Sequence, residues 1–161
     1  MYGARCKKEQ ECRRVSCLWP ERCPEFADDQ KGYTALLNKA ARTAGVKNLF
    51  VTTGVRMDLA LEDPALMQAL ALRHTSGHMK VAPEHTIPAV LEHMRKPAGG
   101  LFGRFVAQHR RLSARAGKKQ FVVPYLMAAH PGSNMDHMVV LALFLASEGI
   151  RAEQCQIFTP T

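Results

Sequence analysis

Gly77-His-Met-Lys-Val-Ala-Pro-Glu-His85 reads as a short strand that ends in charged residues, and Thr86-Ile-Pro88 directly after it opens a helix pattern. Alternate side chains of a strand face opposite ways, so Met79 and Val81 point toward covering helices while His78, Lys80 and Ala82 share the other face. The same layout recurs in Asn48-Leu-Phe-Val-Thr-Thr-Gly-Val-Arg56 and in Gln120-Phe-Val-Val-Pro-Tyr-Leu-Met-Ala-Ala-His130. Strand runs that each lead into a helix predict an α/β fold with a parallel sheet and right-handed crossovers. In such folds ligands bind at the carboxyl ends of the strands, which is where the polar clusters sit.

Working outward, Asp28 and Asp29 offer caps for a helix running to about Ala44, with Leu36, Leu37, Ala40 and Ala41 on one face and Gly45 as the stop. Val46 to Thr53 follows as the first strand. Asp63-Pro64 starts a helix, Ala65 to His74, by placing an acid at the cap and proline at the first helical position. The second strand spans His78 to Ala82, and Thr86 caps a short helix, Ile87 to Met94, that Lys96-Pro-Ala-Gly-Gly100 breaks. Leu101 to Ala116 forms a longer helix, Gln120 to Leu126 the third strand, and Ser133 or Asn134 caps a helix ending near Glu148-Gly149. A last strand runs from about Gln154 to Phe158, with Cys155 expected in the core. Four parallel strands over residues 28–161, preceded by a helix, give half of a partial, TIM-like barrel or a small open sheet, and the stop at Phe158-Thr-Pro-Thr161 after a strand reads as part of a larger β/α structure. Residues 1–27 form a separate, irregular, cysteine-bearing segment, because Pro20 and Pro24 forbid a long helix.

The 161 residues carry a net charge of +8, which suits nucleic acid or anionic substrates as partners. Most of the basic residues are dispersed, however, and those from Arg104 to Lys119 lie opposite the apolar positions Leu101, Phe102, Phe105, Val106 and Leu112, as a solvated helix face would. No apolar run reaches the ~20 residues of a membrane helix, and the start lacks a signal-peptide core, so a cytoplasmic location is expected. The five cysteines are an odd number and read as thiols or metal ligands rather than as a disulfide framework. Cys6, Cys12, Cys17 and Cys23 follow C-x5-C-x4-C-x5-C, a spacing that leaves open both free thiols and four ligands to zinc or an iron–sulfur cluster.

Three groups at the strand ends carry chemistry. Lys80, on the face away from the helices, needs a carboxylate or an anionic ligand, and Glu84 is the candidate for an ion pair. Thr52, Thr53 and Arg56 suit a ribose or a carboxylate, with an Arg56–Asp58 pair in a plain turn as the alternative. Tyr125 and His130 close the third strand, and Pro131-Gly132 leads into a helix whose amide end can hold an anion. His85 and His130 lack ligand spacing and are expected to be hydrogen-bonded rather than metal-bound.

Met1-Tyr-Gly3, the spaced cysteines, Ser76-Gly-His-Met-Lys-Val-Ala-Pro-Glu-His-Thr86, Met94-Arg-Lys-Pro97, Gly117-Lys-Lys-Gln-Phe-Val-Val-Pro-Tyr125, His130-Pro-Gly132 and Phe158-Thr-Pro-Thr161 together resemble the YgiQ-type radical SAM proteins, over essentially the whole chain. The resemblance implies a partial β/α barrel that binds S-adenosylmethionine and a [4Fe-4S] cluster, and that cleaves the former reductively to a 5′-deoxyadenosyl radical. The cluster loop C-x3-C-x2-C is absent here, so its ligands are expected outside this chain, which would supply the later half of the barrel. Gly77-x-Met-x-Val-x-x-Glu84 is similar to the family-wide G-x-I-x-G-x-x-E motif of the fifth barrel strand, near the adenine, with Val81 in place of the second glycine. Thr53 and Arg56 then fall where the fourth strand meets ribose and carboxylate, and Lys80 and Tyr125 face the same region.

The expectation is thus the S-adenosylmethionine side of a radical SAM iron–sulfur enzyme, inactive alone, with the remainder of its own barrel as partner. The alternative is a non-catalytic module in which the four N-terminal cysteines hold zinc and the basic face docks nucleic acid. Open sheet edges also allow a homodimer. Neither the substrate nor a catalytic residue is assigned by the sequence.

Overall fold

The computed structural model describes residues 2–6, 8, 12–97 and 100–160. In the N-terminal segment, β1 (Arg5–Cys6) pairs antiparallel with β2 (Phe26–Ala27), Arg5 opposite Ala27. Leu18, Cys23 and Phe26 bury against Leu59 and form a small core of their own. Arg22 ties this segment down through Asp28 and Glu62, which explains why Asp28 does not cap the following helix.

Asp29 is the cap of α1 (Gln30–Ala41), accepting from the amide of Gly32 at 2.7 Å. The expected strand Val46 to Thr53 is not one. That stretch runs beside the end of the next helix rather than beside a strand, and the amide of Val51 bonds the carbonyl of His74 at 2.8 Å. Only at Val55 does it come level with the sheet, as a single parallel bridge to Val81. A further short helix that the sequence reading does not include, α2 (Met57–Glu62), turns inward there and buries Met57, Leu59 and Ala60.

Asp63 and Pro64 start α3 (Pro64–Ala69) as expected, the carboxylate accepting from Ala65 and Leu66 amides at 2.9 and 3.0 Å. Its continuation, Leu70–His74, widens to a π turn, which leaves backbone carbonyls to be satisfied from elsewhere. The side-chain amide of Gln120 donates to the carbonyls of Ala71 and Thr75 at 3.0 and 2.8 Å, and the Lys118 ammonium donates to Leu72. The loop before the second sheet strand therefore closes the end of an earlier helix.

The sheet proper has three parallel strands in the order β3 (His78–Glu84), β4 (Phe121–Ala128), β5 (Gln154–Ile157). Met79 and Val81 are buried, as their alternation predicts, among Leu66, Leu70, Phe105 and Val106. Each such side chain is worth about 1.5–3 kcal/mol relative to exposure. Helices α4 (Pro88–His93), α5 (Leu101–Arg115) and α6 (Met135–Ser147) follow the strands as expected. In α5, Phe102, Phe105, Val106 and Leu112 face the core and the basic residues lie outside. Asn134, rather than Ser133, caps α6 by accepting from the amide of His137 at 2.9 Å.

On the other face of the sheet Lys80, Ala82, Tyr125 and Met127 are half-buried and Val123 is buried. All of β5 is exposed, including Cys155, which is not in the core because the strand forms an edge with no helix over it. The result is a partial α/β unit with no closed barrel. No helix among the described residues is long and apolar enough to cross a membrane.

Candidate functional site

Glu84 ends β3 with φ at 63°, a left-handed backbone that side chains other than glycine adopt at a cost. The ladder with β4 shifts register between Val81 and Glu84, so Glu84 leaves the pleat of the strand. Its carboxylate accepts from Lys96 at 3.0 Å, and the same ammonium donates to the carbonyl of Ala82 at 2.9 Å. The expected Lys80–Glu84 pair is therefore not formed. Lys96 comes from the Lys-Pro break after α4, and nothing in its spacing to Glu84 announces the contact. Lys80 stays half-buried on the face opposite Met79 and Val81, and across the ladder it stands beside Val123, so Tyr125, two residues on, projects from that same face.

Arg56 and Asp58 form the turn that the sequence offered as an alternative. The guanidinium grips both carboxylate oxygens, at 2.8 to 3.0 Å, and Asp58 also accepts the amide of Leu59 at 3.0 Å. The Arg56 side chain remains 42% exposed, so part of its donor fork is free for a ligand. Two cavities meet at this residue. One, of about 200 Å³, runs between Gly54–Asp58 and the end of β3, with Ala82, Pro83 and Lys96 on its far wall. The other, of about 550 Å³, is lined by Thr53 and Arg56 together with Tyr2 and Tyr33, whose rings lie 5.7 Å apart. Burial pushes the Tyr33 hydroxyl up from its ordinary value, which keeps it a neutral donor.

The structure thus joins Thr53 and Arg56 in one cavity and reaches Glu84 through Lys96 in the next. Lys80 and Tyr125 line neither of the two. Tyr2, Tyr33 and Lys96 are the residues that sequence reasoning missed, although Tyr2 in Met1-Tyr-Gly3 and Lys96 in Met94-Arg-Lys-Pro97 stand in motifs that carry the resemblance. One guanidinium, a threonine hydroxyl and two aromatic rings around a cavity of this size suit a ligand with a planar ring, a sugar and a charged end.

The four N-terminal cysteines are not gathered. Cys6 and Cys17 are half-buried, Cys12 is exposed and Cys23 is buried, and among the described residues no group of three or more His, Cys, Asp or Glu side chains is placed to hold a metal ion. The amide of Cys23 donates to the carbonyl of Cys17 at 2.8 Å, and both thiols are free. His85 and His130 are hydrogen-bonded, as expected. His85 Nδ1 accepts from the amides of Thr86 and Ile87 at 3.0 and 3.1 Å, and the cap expected from Thr86 is not formed, since Ile87 precedes α4 without a side-chain cap. His130 Nδ1 lies 2.9 Å from the carbonyl of Pro131, and its ring packs edge-on to Phe158.

A parallel β/α unit with its polar groups at the strand ends is the class of protein that fold and site define. The chain belongs to the UPF0313 family, to which YgiQ also belongs. It is 46% identical along its whole length to a UPF0313 protein of Geobacter sulfurreducens, of which it covers 27%. It is 41% identical, again over the whole chain, to UPF0313 protein YgiQ of Salmonella typhimurium and 40% to YgiQ of Escherichia coli, covering 23% and 22% of them. The chain therefore spans about a quarter of the length of the curated relatives it matches. No protein-family model and no solved structure matches it.

Proposed function

We propose that this chain is the S-adenosylmethionine-binding side of a radical SAM iron–sulfur enzyme. The observation that carries the reading is the cavity shared by Thr53 and Arg56, on the segment that bridges β3 at Val55, walled by Tyr2 and Tyr33. The Thr53 hydroxyl fits a ribose, the free part of the Arg56 fork fits the methionyl carboxylate, and the tyrosine rings offer an apolar wall for the adenine. Glu84, held by Lys96, keeps the end of β3 in the bent geometry that opens the neighbouring cavity. When bound beside a reduced [4Fe-4S] cluster, S-adenosylmethionine would supply a 5′-deoxyadenosyl radical for hydrogen abstraction.

The cluster finds no ligand set among the described residues, so its ligands and the rest of the barrel come from the other part of the full-length protein. The exposed edge strand β5 supports that partner, with Ile157 75% exposed. The five unpaired cysteines suit a reducing, cytoplasmic compartment.

The test is to co-express the chain with the remainder of a UPF0313 relative, reconstitute the cluster without oxygen and assay S-adenosylmethionine cleavage. The chain alone should be inactive and the pair should release 5′-deoxyadenosine. A pair with an intact cluster and no cleavage would overturn the reading.

A further inference from the structure

Behind the Glu84 bend, the β3–α4 junction meets the first turn of α6. The rings of His85 and His137 contact edge-on with centroids 6.4 Å apart. Gly132, just before α6, lies against the ring of His93 at the end of α4, so close that a Cβ there would stand 2.4 Å from it. Four buried polar atoms in this junction have no hydrogen-bond partner within the chain, namely His85 Nε2, Thr86 Oγ1, Ser133 Oγ and His137 Nδ1. A buried polar group left unsatisfied costs about 1–3 kcal/mol, so a group of them is expensive unless something binds there.

The chemistry of the missing partner follows from His85. Its Nδ1 already accepts two amide protons, so the ring proton sits on Nε2, in a side chain only 1% exposed. That nitrogen donates and has no lone pair for a metal. The hydroxyls of Thr86 and Ser133 can donate too, and the 13-residue α6 presents the positive end of its dipole beside them. No carboxylate bonds to any of the four atoms among the described residues, and Asp136, the acid of the first α6 turn, is exposed. His85 and Thr86 also line a cavity of about 230 Å³ whose other walls, such as Leu91, Phe102 and Phe144, are apolar.

We propose that this junction binds an oxyanion, the carboxylate or phosphate of a small organic ligand, with His85 Nε2–H as its principal donor and the apolar cavity taking the body. The site shares no lining residue with the 550 Å³ cavity of Thr53 and Arg56, while Met57, Pro83, Pro97 and Leu101 form a common wall with the 200 Å³ cavity beside Arg56.

The experiment is to follow the His85 and His137 ring nitrogens of the intact chain by NMR during titration with inorganic phosphate, acetate and benzoate. Saturable shifts at both rings are expected, with phosphate or the carboxylates favoured according to which the site prefers, and benzoate tighter than acetate if the cavity holds the body. His85→Phe should weaken the preferred anion about 10-fold or more, and Thr86→Val, which keeps the shape, should weaken it less. Rings that do not move in the folded wild-type chain up to about 50 mM of each anion would overturn the proposal, as would undiminished binding in a folded His85→Phe variant.

Discussion

Lys96 crosses from the end of α4 to Glu84, 3.0 Å from its carboxylate, and on the way captures the carbonyl of Ala82 at 2.9 Å. One ammonium thus pins a residue of left-handed backbone at the point where the sheet register breaks. Lys96→Met should leave a half-buried carboxylate and a carbonyl unpaired and cost about 1–2 kcal/mol, discounted for partial exposure. Lys80→Met should stay within about 0.5 kcal/mol, since Lys80 makes no ion pair among the described residues. Urea unfolding of the two variants decides the matter. The opposite ranking would restore Lys80 as the partner of Glu84.

Gln120 holds three elements together. Its amide donates to Ala71 and Thr75, while its oxygen accepts from the Ser113 hydroxyl at 2.7 Å. Gln120→Leu should strand two carbonyls and a hydroxyl of the π turn and α5, and cost about 2 kcal/mol or more. A lower denaturant midpoint with an unchanged slope is the expected result. Loss of less than about 0.5 kcal/mol would show that water replaces the side chain there.

His109 is buried against Phe105, and desolvation lowers its pKa from 6.5 to about 4. The unfolded chain thus holds this proton more tightly than the folded one, so stability is at its full value above pH 6.5 and is lost as pH falls toward 4. The difference corresponds to about 3 kcal/mol at most. His85, lowered first by burial and then by His137 and His130, acts in the same direction. His109→Leu should flatten the acid limb of a stability–pH profile measured between about pH 4 and pH 7. An unchanged limb would assign the effect to other groups.

Arg56 divides its donors between Asp58 and the cavity. In the assembled protein, Arg56→Ala should weaken S-adenosylmethionine binding about 10-fold, the worth of one charge-assisted hydrogen bond. Asp58→Asn frees more of the guanidinium and should leave affinity equal or higher. Equilibrium dialysis reads both. Unchanged binding in the alanine variant removes Arg56 from the site.

Much of this fold was legible because the signals are local. Asp63-Pro64 starts a helix wherever it occurs in solvent-exposed chain, and the alternation of Met79 and Val81 turns them inward in any sheet covered on one side. The strand expected at Val46 to Thr53 failed for the opposite reason. Its residues have strand propensity, but β3 begins only at His78, so the segment meets the end of a helix and has no ladder to join. Thr53 and Arg56 stood out by residue type, and both do line one cavity, although no strand ends there; Tyr33 joins them because α1 brings it to the same cavity.

The sequence by itself determined the starts of α1, α3 and α6, the apolar faces of β3 and α5 and the polar residues that follow β3 and β4, since each follows from spacing along a few neighbouring residues; it did not reveal α2 or the missing strand at Val46 to Thr53. Only the tertiary structure decided that Glu84 pairs with Lys96 rather than Lys80, that Gln120 closes the π turn, and that His85 meets His137. Those contacts join residues from different elements, and their partners are set by how the elements pack and by where the sheet register slips, which no local spacing encodes.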